Sequence, residues 1–406
     1  MAPSRRAIWS MVARRRHLLP AGLDRTLERW KWSAQRPPED LHQAPVPQGP
    51  EPRLLIAPTN FAGQGRAWAQ AWDQETGGSA VNWVFSANPA FGYGADYALP
   101  ITVNAAPGDF QSAQFSLAVD HFQGVVMESG RALFGRLFGY SPGREALALR
   151  SAGLAVAALW HGSDIRLPSR HAASHRLSPY TEPSMRARTA ELESTARRNW
   201  RAMGHLGLAQ LVSTPDLLDQ VEGAIWCPVV VDESIRRREG LAPVLPTGHP
   251  PRVVHVPSNP VLKGTDLVDP VLRRLADLGR IEYIRAEGLT AAEVLGLYES
   301  ADIVADQFRM GIYGVAAAEA MALGRLVLSD VDQSVRQCVE DRTGLALPVC
   351  QVTAWQLEER LEEIIAGPEP FRQAAARGPA FVEAVHCGKR SAEALGQAMR
   401  NGADSG

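Results

Sequence analysis

Lys263 stands just before Gly264-Thr265, after the short apolar run Arg252 to Val256. An ammonium at a strand-to-helix junction, beside amides that a helix N-terminus leaves free, suits a diphosphate, although many exposed lysines share this spacing. Ser258 and Asn259 occupy the same loop. Further on, Asp306 closes another apolar run, and Gly311, Tyr313 and Gly314 lead into Val315 to Leu323, where Glu319 is the one charged residue. Small residues there permit close backbone approach. A carboxylate in such a run is costly unless it finds a partner. A ribose diol would supply two hydroxyl donors; an arginine of the same domain would supply an internal ion pair.

The first half of the chain carries two further groups. Asn60, Gly63, Gln64 and Gly65 follow a short strand and open a helix, where amides and glycines favour an anion. A turn that only needs glycine reads the same way. His161 and Asp164, in Trp160-His161-Gly162-Ser163-Asp164-Ile165-Arg166, follow the most apolar strand of the chain. His161 could bond a ligand hydroxyl or share its proton. Asp164 could act as a base, pair with Arg166, or cap the loop.

Two series of alternating elements position these residues. Strands are expected at Arg53–Ala57, Val81–Phe85, Val125–Met127, Gly153–Leu159 and Ala209–Ser213, with helices between. A break rich in proline and charge spans 232–251. Strands then resume at Arg252–Val256, Ile281–Ile284, Ile303–Ala305 and Leu326–Leu328, with a helix from Pro270 to Leu278. Such alternation predicts parallel, doubly wound sheets, whose ligands sit at the carboxyl edges of the strands. The expected organisation is a basic arm and proline-rich linker (1–52), a first Rossmann-like domain (53–231), an interdomain linker (232–251), a second such domain (252–385), and a C-terminal helix and tail (386–406) that crosses back to the first.

With 406 residues, 45% of them hydrophobic, and a net charge of −2, the chain fits two globular domains and gives no sign of nucleic-acid binding. Its four cysteines show neither zinc-site spacing nor a disulfide framework. No run is long enough to span a membrane, and the N-terminus lacks a proper secretory signal, so a cytoplasmic protein is expected. Residues 1–36 combine nine arginines and lysines with Trp9, Trp30 and Trp32. They read as a solvated tail or as short amphipathic helices on the inner membrane face.

Glu319-Ala320-Met321-Ala322-Leu323-Gly324-Arg325-Leu326-Val327 resembles the donor-domain motif of the retaining GT-B glycosyltransferases of family 4. Pro257-Ser258-Asn259, the His161–Arg166 segment, and Asp306-Gln307 with Tyr313-Gly314-Val315 resemble a bacterial subgroup of cell-surface polysaccharide clusters. The resemblance covers roughly residues 53 to 402. It implies an α/β GT-B fold and sugar transfer from a nucleotide-sugar to a carbohydrate or lipid-linked acceptor. By the same resemblance Glu319 binds the donor ribose, Lys263 the diphosphate, and His161 lines the sugar site, while the Gly63–Gly65 loop helps hold phosphates or acceptor. Where the family has a first glutamate that touches the transferred sugar, this chain has Gly311, and Asp306 is the candidate to replace it. The only Asp-x-Asp, Asp330-Val331-Asp332, lies off the expected diphosphate site, so no metal or other cofactor is expected. Two alternatives share the fold: a nucleotide-sugar epimerase, and a non-catalytic subunit that docks a partner glycosyltransferase.

Overall fold

A computed structural model describes residues 12–86, 93–246 and 248–403. The first sheet contains β1 (Arg53–Ala57), β2 (Ser79–Ser86), β3 (Tyr97–Pro100), β4 (Gly124–Glu128), β5 (Ala155–Trp160), β6 (Ala209–Val212) and β7 (Ile225–Trp226). All are parallel, in the order β3-β2-β1-β4-β5-β6-β7. The second contains β8 (Arg252–His255), β9 (Glu282–Arg285), β10 (Ile303–Ala305), β11 (Leu326–Ser329) and β12 (Cys350–Gln351), also parallel, in the order β12-β11-β10-β8-β9. The expected doubly wound α/β architecture is therefore present twice. Each sheet reverses direction beside its first strand, between β1 and β4 and between β8 and β10. A crevice opens at such a reversal because the flanking connections leave toward opposite faces.

β4, β5, β10 and β11 are buried along their whole length, which is why they read as unbroken apolar runs. β3, β7 and β12 were not expected. β7 and β12 are two-residue edge strands, and β3 alternates buried and exposed positions over only four residues. The helix expected from Pro270 instead starts at Thr265, with Pro270 inside it. Gly264, in the left-handed region at φ 75°, starts that helix early.

The C-terminal helix Lys389–Ala403 crosses back as expected. Ala394, Leu395 and Ala398 enter one core of the first domain with Leu54, Ile56, Trp68 and Leu159. The outgoing and returning chains lie side by side: Val231 N–H donates to the His386 carbonyl at 2.9 Å, and Trp68 Nε1 and Ser391 Oγ both donate to the Pro228 carbonyl at 2.8 Å. Within 232–251, the short helix Glu233–Arg236 and Leu245 pack on the second domain through buried Ile235 and Leu245.

The described part of the N-terminal arm, 12–36, is not a solvated tail. Helix Ala21–Ser33 buries Trp32, whose ring stacks on Tyr140 at 6.5 Å. Buried Arg16 donates to Asp24 at 2.5 Å and Glu28 at 2.6 Å, and Arg201 holds the His17 and Leu19 carbonyls. An arginine saturated by two carboxylates of its own segment can be buried where a lone one could not. No described helix is long and apolar enough to cross a membrane. Trp9 lies outside the described residues.

Candidate active site

At the carboxyl end of β4, the strand across the first reversal, stands Glu128, wholly buried. Its carboxylate accepts from the Thr59 amide at 3.0 Å, beyond β1, and bonds His161 Nε2 at 2.9 Å, beyond β5. A carboxylate accepts, so Nε2 is the nitrogen that donates to Glu128. The imidazole is wedged between Phe61, edge-on at 5.0 Å, and Trp68 at 5.5 Å, and is 12% exposed. His161 is thus held in one orientation. Glu128 was missed in the sequence because it ends the apolar run Val125-Val126-Met127. A carboxylate at the carboxyl end of a central parallel strand was the available signal.

Asp164 does not face the cleft as a base. Its carboxylate accepts from the His161 amide at 3.0 and 3.1 Å and from the Gly162 amide at 2.8 Å, while Asn199 holds its carbonyl. This is the loop-cap alternative, and the effect is to fix the backbone of His161. Arg166 pairs with Asp216 instead.

The Asn60–Gly65 loop divides likewise. Asn60 bonds the Arg66 amide and the Gly94 carbonyl. Gln64 clamps the Val230 backbone, accepting at 2.7 Å and donating at 3.1 Å. Gly65 packs on Asn82 and the Thr59 carbonyl with no room for a side chain. Gly63, left-handed at φ 76°, precedes helix Gln64–Thr76; its amide and that of Gln64 bond the Asn60 and Phe61 carbonyls, Asn60 Oδ1 takes the Arg66 amide, and the Tyr93 ring lies against Gly63.

The second domain repeats the arrangement. Asp306 ends β10, across the second reversal, and is nearly buried. One carboxylate oxygen pairs with Lys263 Nζ; the other, buried, has no partner among the described residues. Lys263 ends the short helix Pro260–Lys263. Asn259 caps this helix, accepting from Val261 and Leu262 at 3.1 and 3.2 Å, and Ser258 is exposed beside it. Asn259 thus acts on the backbone, while Lys263 is brought to Asp306. Gly264 packs against Arg309 and Phe308.

Helix Val315–Ala322 begins at Gly314 with no side-chain cap, and among the described residues no group accepts from the Val315, Ala316 or Ala317 amides. Tyr313 does not reach the cleft. It is buried, with its hydroxyl 3.3 Å from His386 Nε2 at the chain crossing. Glu319 is half-buried on this helix and has no hydrogen-bond or ion-pair partner among the described residues, so the internal ion pair is not formed. Burial pushes its pKa up to about 7. Tyr93, raised first by its own burial, is raised further by Glu319. The Gly63–Tyr93 edge of the first domain therefore faces the Glu319 helix of the second.

Gly311 has a physical reason. It lies in the left-handed region at φ 66°, and a Cβ there would overlap the Asp332 carboxylate. Asp332 N–H donates to the Gly311 carbonyl at 2.9 Å, and its carboxylate pairs with His175 of the first domain. The space beside residue 311 thus holds a carboxylate delivered from the loop after β11. Asp330 is bonded by Gln351 at 2.7 Å. Among the described residues, no three His, Cys, Asp or Glu side chains gather as a metal site.

No protein-family model matches the sequence, and a search of curated proteins gives no match. Solved structures do match. A glycosyltransferase from Rickettsia africae is similar with a TM-score of 0.52 and 11% identity, over 86% of this chain and 98% of that one. A sucrose-phosphate synthase from Thermosynechococcus elongatus gives 0.51 and 15%, over 87% and 98%. Anabaena HepE, solved with UDP and glucose, gives 0.50 and 12%, over 85% and 98%. Likeness at such identities shows fold alone. The chain has the GT-B fold of those glycosyltransferases, two Rossmann-like domains facing across a cleft.

Proposed function

We propose that this protein is a glycosyltransferase: the second domain holds a nucleotide-diphosphate sugar and the first holds the acceptor. The observation that carries the reading is Glu319, a half-buried carboxylate without a partner, on a helix whose first amides are free. A ribose diol donates two hydrogen bonds to such a group, and the diphosphate then falls toward the Gly314 amides and Lys263.

The anomeric carbon–oxygen bond breaks with its electron pair passing to the diphosphate. Lys263, oriented by Asp306, and the free amides stabilise the charge that grows there. The acceptor hydroxyl forms the new bond, and its proton goes to a leaving-group oxygen on the same face of the sugar. His161, held by Glu128 through Nε2, turns Nδ1 to a sugar hydroxyl. Retention and the family 4 affinity rest on the resemblance of the Glu319–Val327 motif, and a place in cell-surface polysaccharide synthesis on that of Pro257-Ser258-Asn259, His161–Arg166 and Asp306-Gln307 with Tyr313-Gly314-Val315. Asp330 and Asp332 are bonded to Gln351 and His175, so the reading includes no metal.

The test is a thermal-shift panel of nucleoside diphosphates and their sugars, UDP first, on the wild type and Glu319→Ala. A ligand at about 100 times its Kd stabilises by about 2.7 kcal/mol. A shift with one nucleotide that is lost in the variant is expected. No shift with any nucleotide sinks the reading.

A further inference from the structure

Between the docked N-terminal segment and the carboxyl edge of the first sheet lies a cavity of about 390 Å³. Pro58, beyond β1, and Gly130 and Arg131, beyond β4, form its floor. Helix Ala21–Ser33 and helix Arg186–Met203 form its walls. It adjoins the His161 site: the Arg131 guanidinium sits 5.2 Å from the Phe61 ring, whose other contact is His161.

The charges around this cavity do not balance. Its two lining carboxylates, Asp24 and Glu28, are both engaged by Arg16. Arg25, Arg131 and Arg198 also line it, and none has a hydrogen-bond or ion-pair partner among the described residues. Arg131 is exposed at the mouth of the cavity and Arg198 half-buried; burial lowers the pKa of both, opposed by Asp164 and Glu128 at Arg131 and by Asp24 and Glu28 at Arg198. A single carboxylate is matched by one arginine fork; three arginines that no carboxylate hydrogen-bonds suit an anion of higher charge. The volume suits a phosphorylated sugar or the head of a phosphate-linked one.

We propose that this cavity binds a phosphate group of the acceptor, so that the acceptor is a sugar phosphate or a phosphate-linked lipid. This deepens the glycosyltransferase reading and rests on it. The N-terminal segment is then a wall of the acceptor site. Leu18, Leu23 and Trp30 are exposed on that segment, which makes a prenyl-bearing probe worth including.

Isothermal titration of the full chain would compare glucose 6-phosphate, geranyl phosphate, glucuronate and glucose. Both phosphates are expected to bind, more weakly at high salt, and to lose about tenfold or more in affinity in Arg131→Gln/Arg198→Gln. Binding should persist in Glu319→Ala, which alters only the donor side. Neither arginine bonds a carboxylate among the described residues, so the melting temperature of the double variant should not fall, and a lost ligand cannot be put down to unfolding. Tighter geranyl phosphate identifies a lipid-linked acceptor; tighter glucose 6-phosphate identifies a soluble one. The proposal is overturned if neither phosphate binds up to about 10 mM, if glucose or glucuronate binds as well as the phosphates, or if the double variant keeps its affinity. Phosphate binding by a chain that ignores every nucleotide would leave the cavity standing and remove the donor reading instead.

Discussion

Replacing Glu319 by glutamine should stabilise the free protein and abolish its response to nucleotide, two effects of opposite sign from one substitution. The folded carboxyl has a pKa of about 7 against an ordinary 4.5. Below pH 4.5 it is protonated in both folded and unfolded chains and costs nothing. Between pH 4.5 and 7 the unfolded chain has released a proton that the folded one retains, so stability falls as pH rises, and above 7 the loss is constant. At about 1.36 kcal/mol per pKa unit the full penalty is about 3 kcal/mol, and solvent at the cleft mouth reduces it toward ~1 kcal/mol. Glu319→Gln is neutral at every pH and escapes this penalty. Its melting point should match the wild type near pH 4.5 and exceed it by roughly 3–10 °C at pH 8. Nucleotide affinity of the wild type should rise toward pH 7, because the ionised form accepts both ribose hydrogens. The assay is a set of melts of both proteins from pH 4.5 to 8, with and without the nucleotide. A variant that is less stable than the wild type at pH 8, or a difference that does not grow with pH, refutes the idea of an unpartnered carboxylate kept for a ligand.

Lys263→Ala leaves Asp306 buried without its cation and should cost about 3–5 kcal/mol in denaturant unfolding. Lys263→Met with Asp306→Asn should regain most of that stability yet still show no calorimetric heat with nucleoside diphosphates; binding by the double variant would remove Lys263 from the diphosphate site. His175 reaches across the domains to Asp332, and that bond is the main cause of its raised pKa, opposed by burial. A raised histidine stabilises fully below its unfolded pKa and loses the contribution as pH rises through the folded one. Wild type should therefore melt above His175→Gln at pH 6 and together with it at pH 9; a gap unchanged at pH 9 would mean that the imidazolium is not the contact that matters.

The doubly wound fold and its central strands were legible, and Lys263 and Glu319 stood out, because each rests on a local pattern. Buried parallel strands are continuous apolar runs, and a charged residue at the end of one, or alone on an apolar helix, stands out against its neighbours. What escaped depends on partners distant in sequence. Asp164 as base or cap is decided by which amides its loop turns inward. Tyr313 and Gln64 are typical ligand-binding types, and only the path of residues 228–231 and 386 shows that both hold the chain crossing. Arg16 inside the basic arm looks like any other arginine until the helix that follows brings Asp24 and Glu28 back to it. Gly311 looked like a missing glutamate, and only the fold shows a carboxylate from residue 332 filling its place.

The returning helix Lys389–Ala403 also sets an order for synthesis. Ala394, Leu395 and Ala398 complete a core otherwise made from residues before 231. Translation proceeds at about 5–20 residues per second, so the first domain waits roughly 10–30 s, while the whole second domain is made, before the last piece of its interior leaves the ribosome. During that interval the flank of Leu54, Ile56 and Trp68 is open to water. A nascent chain stalled or truncated near residue 385 should be held by chaperones through its first domain, although every residue missing from it lies at the far end of the sequence.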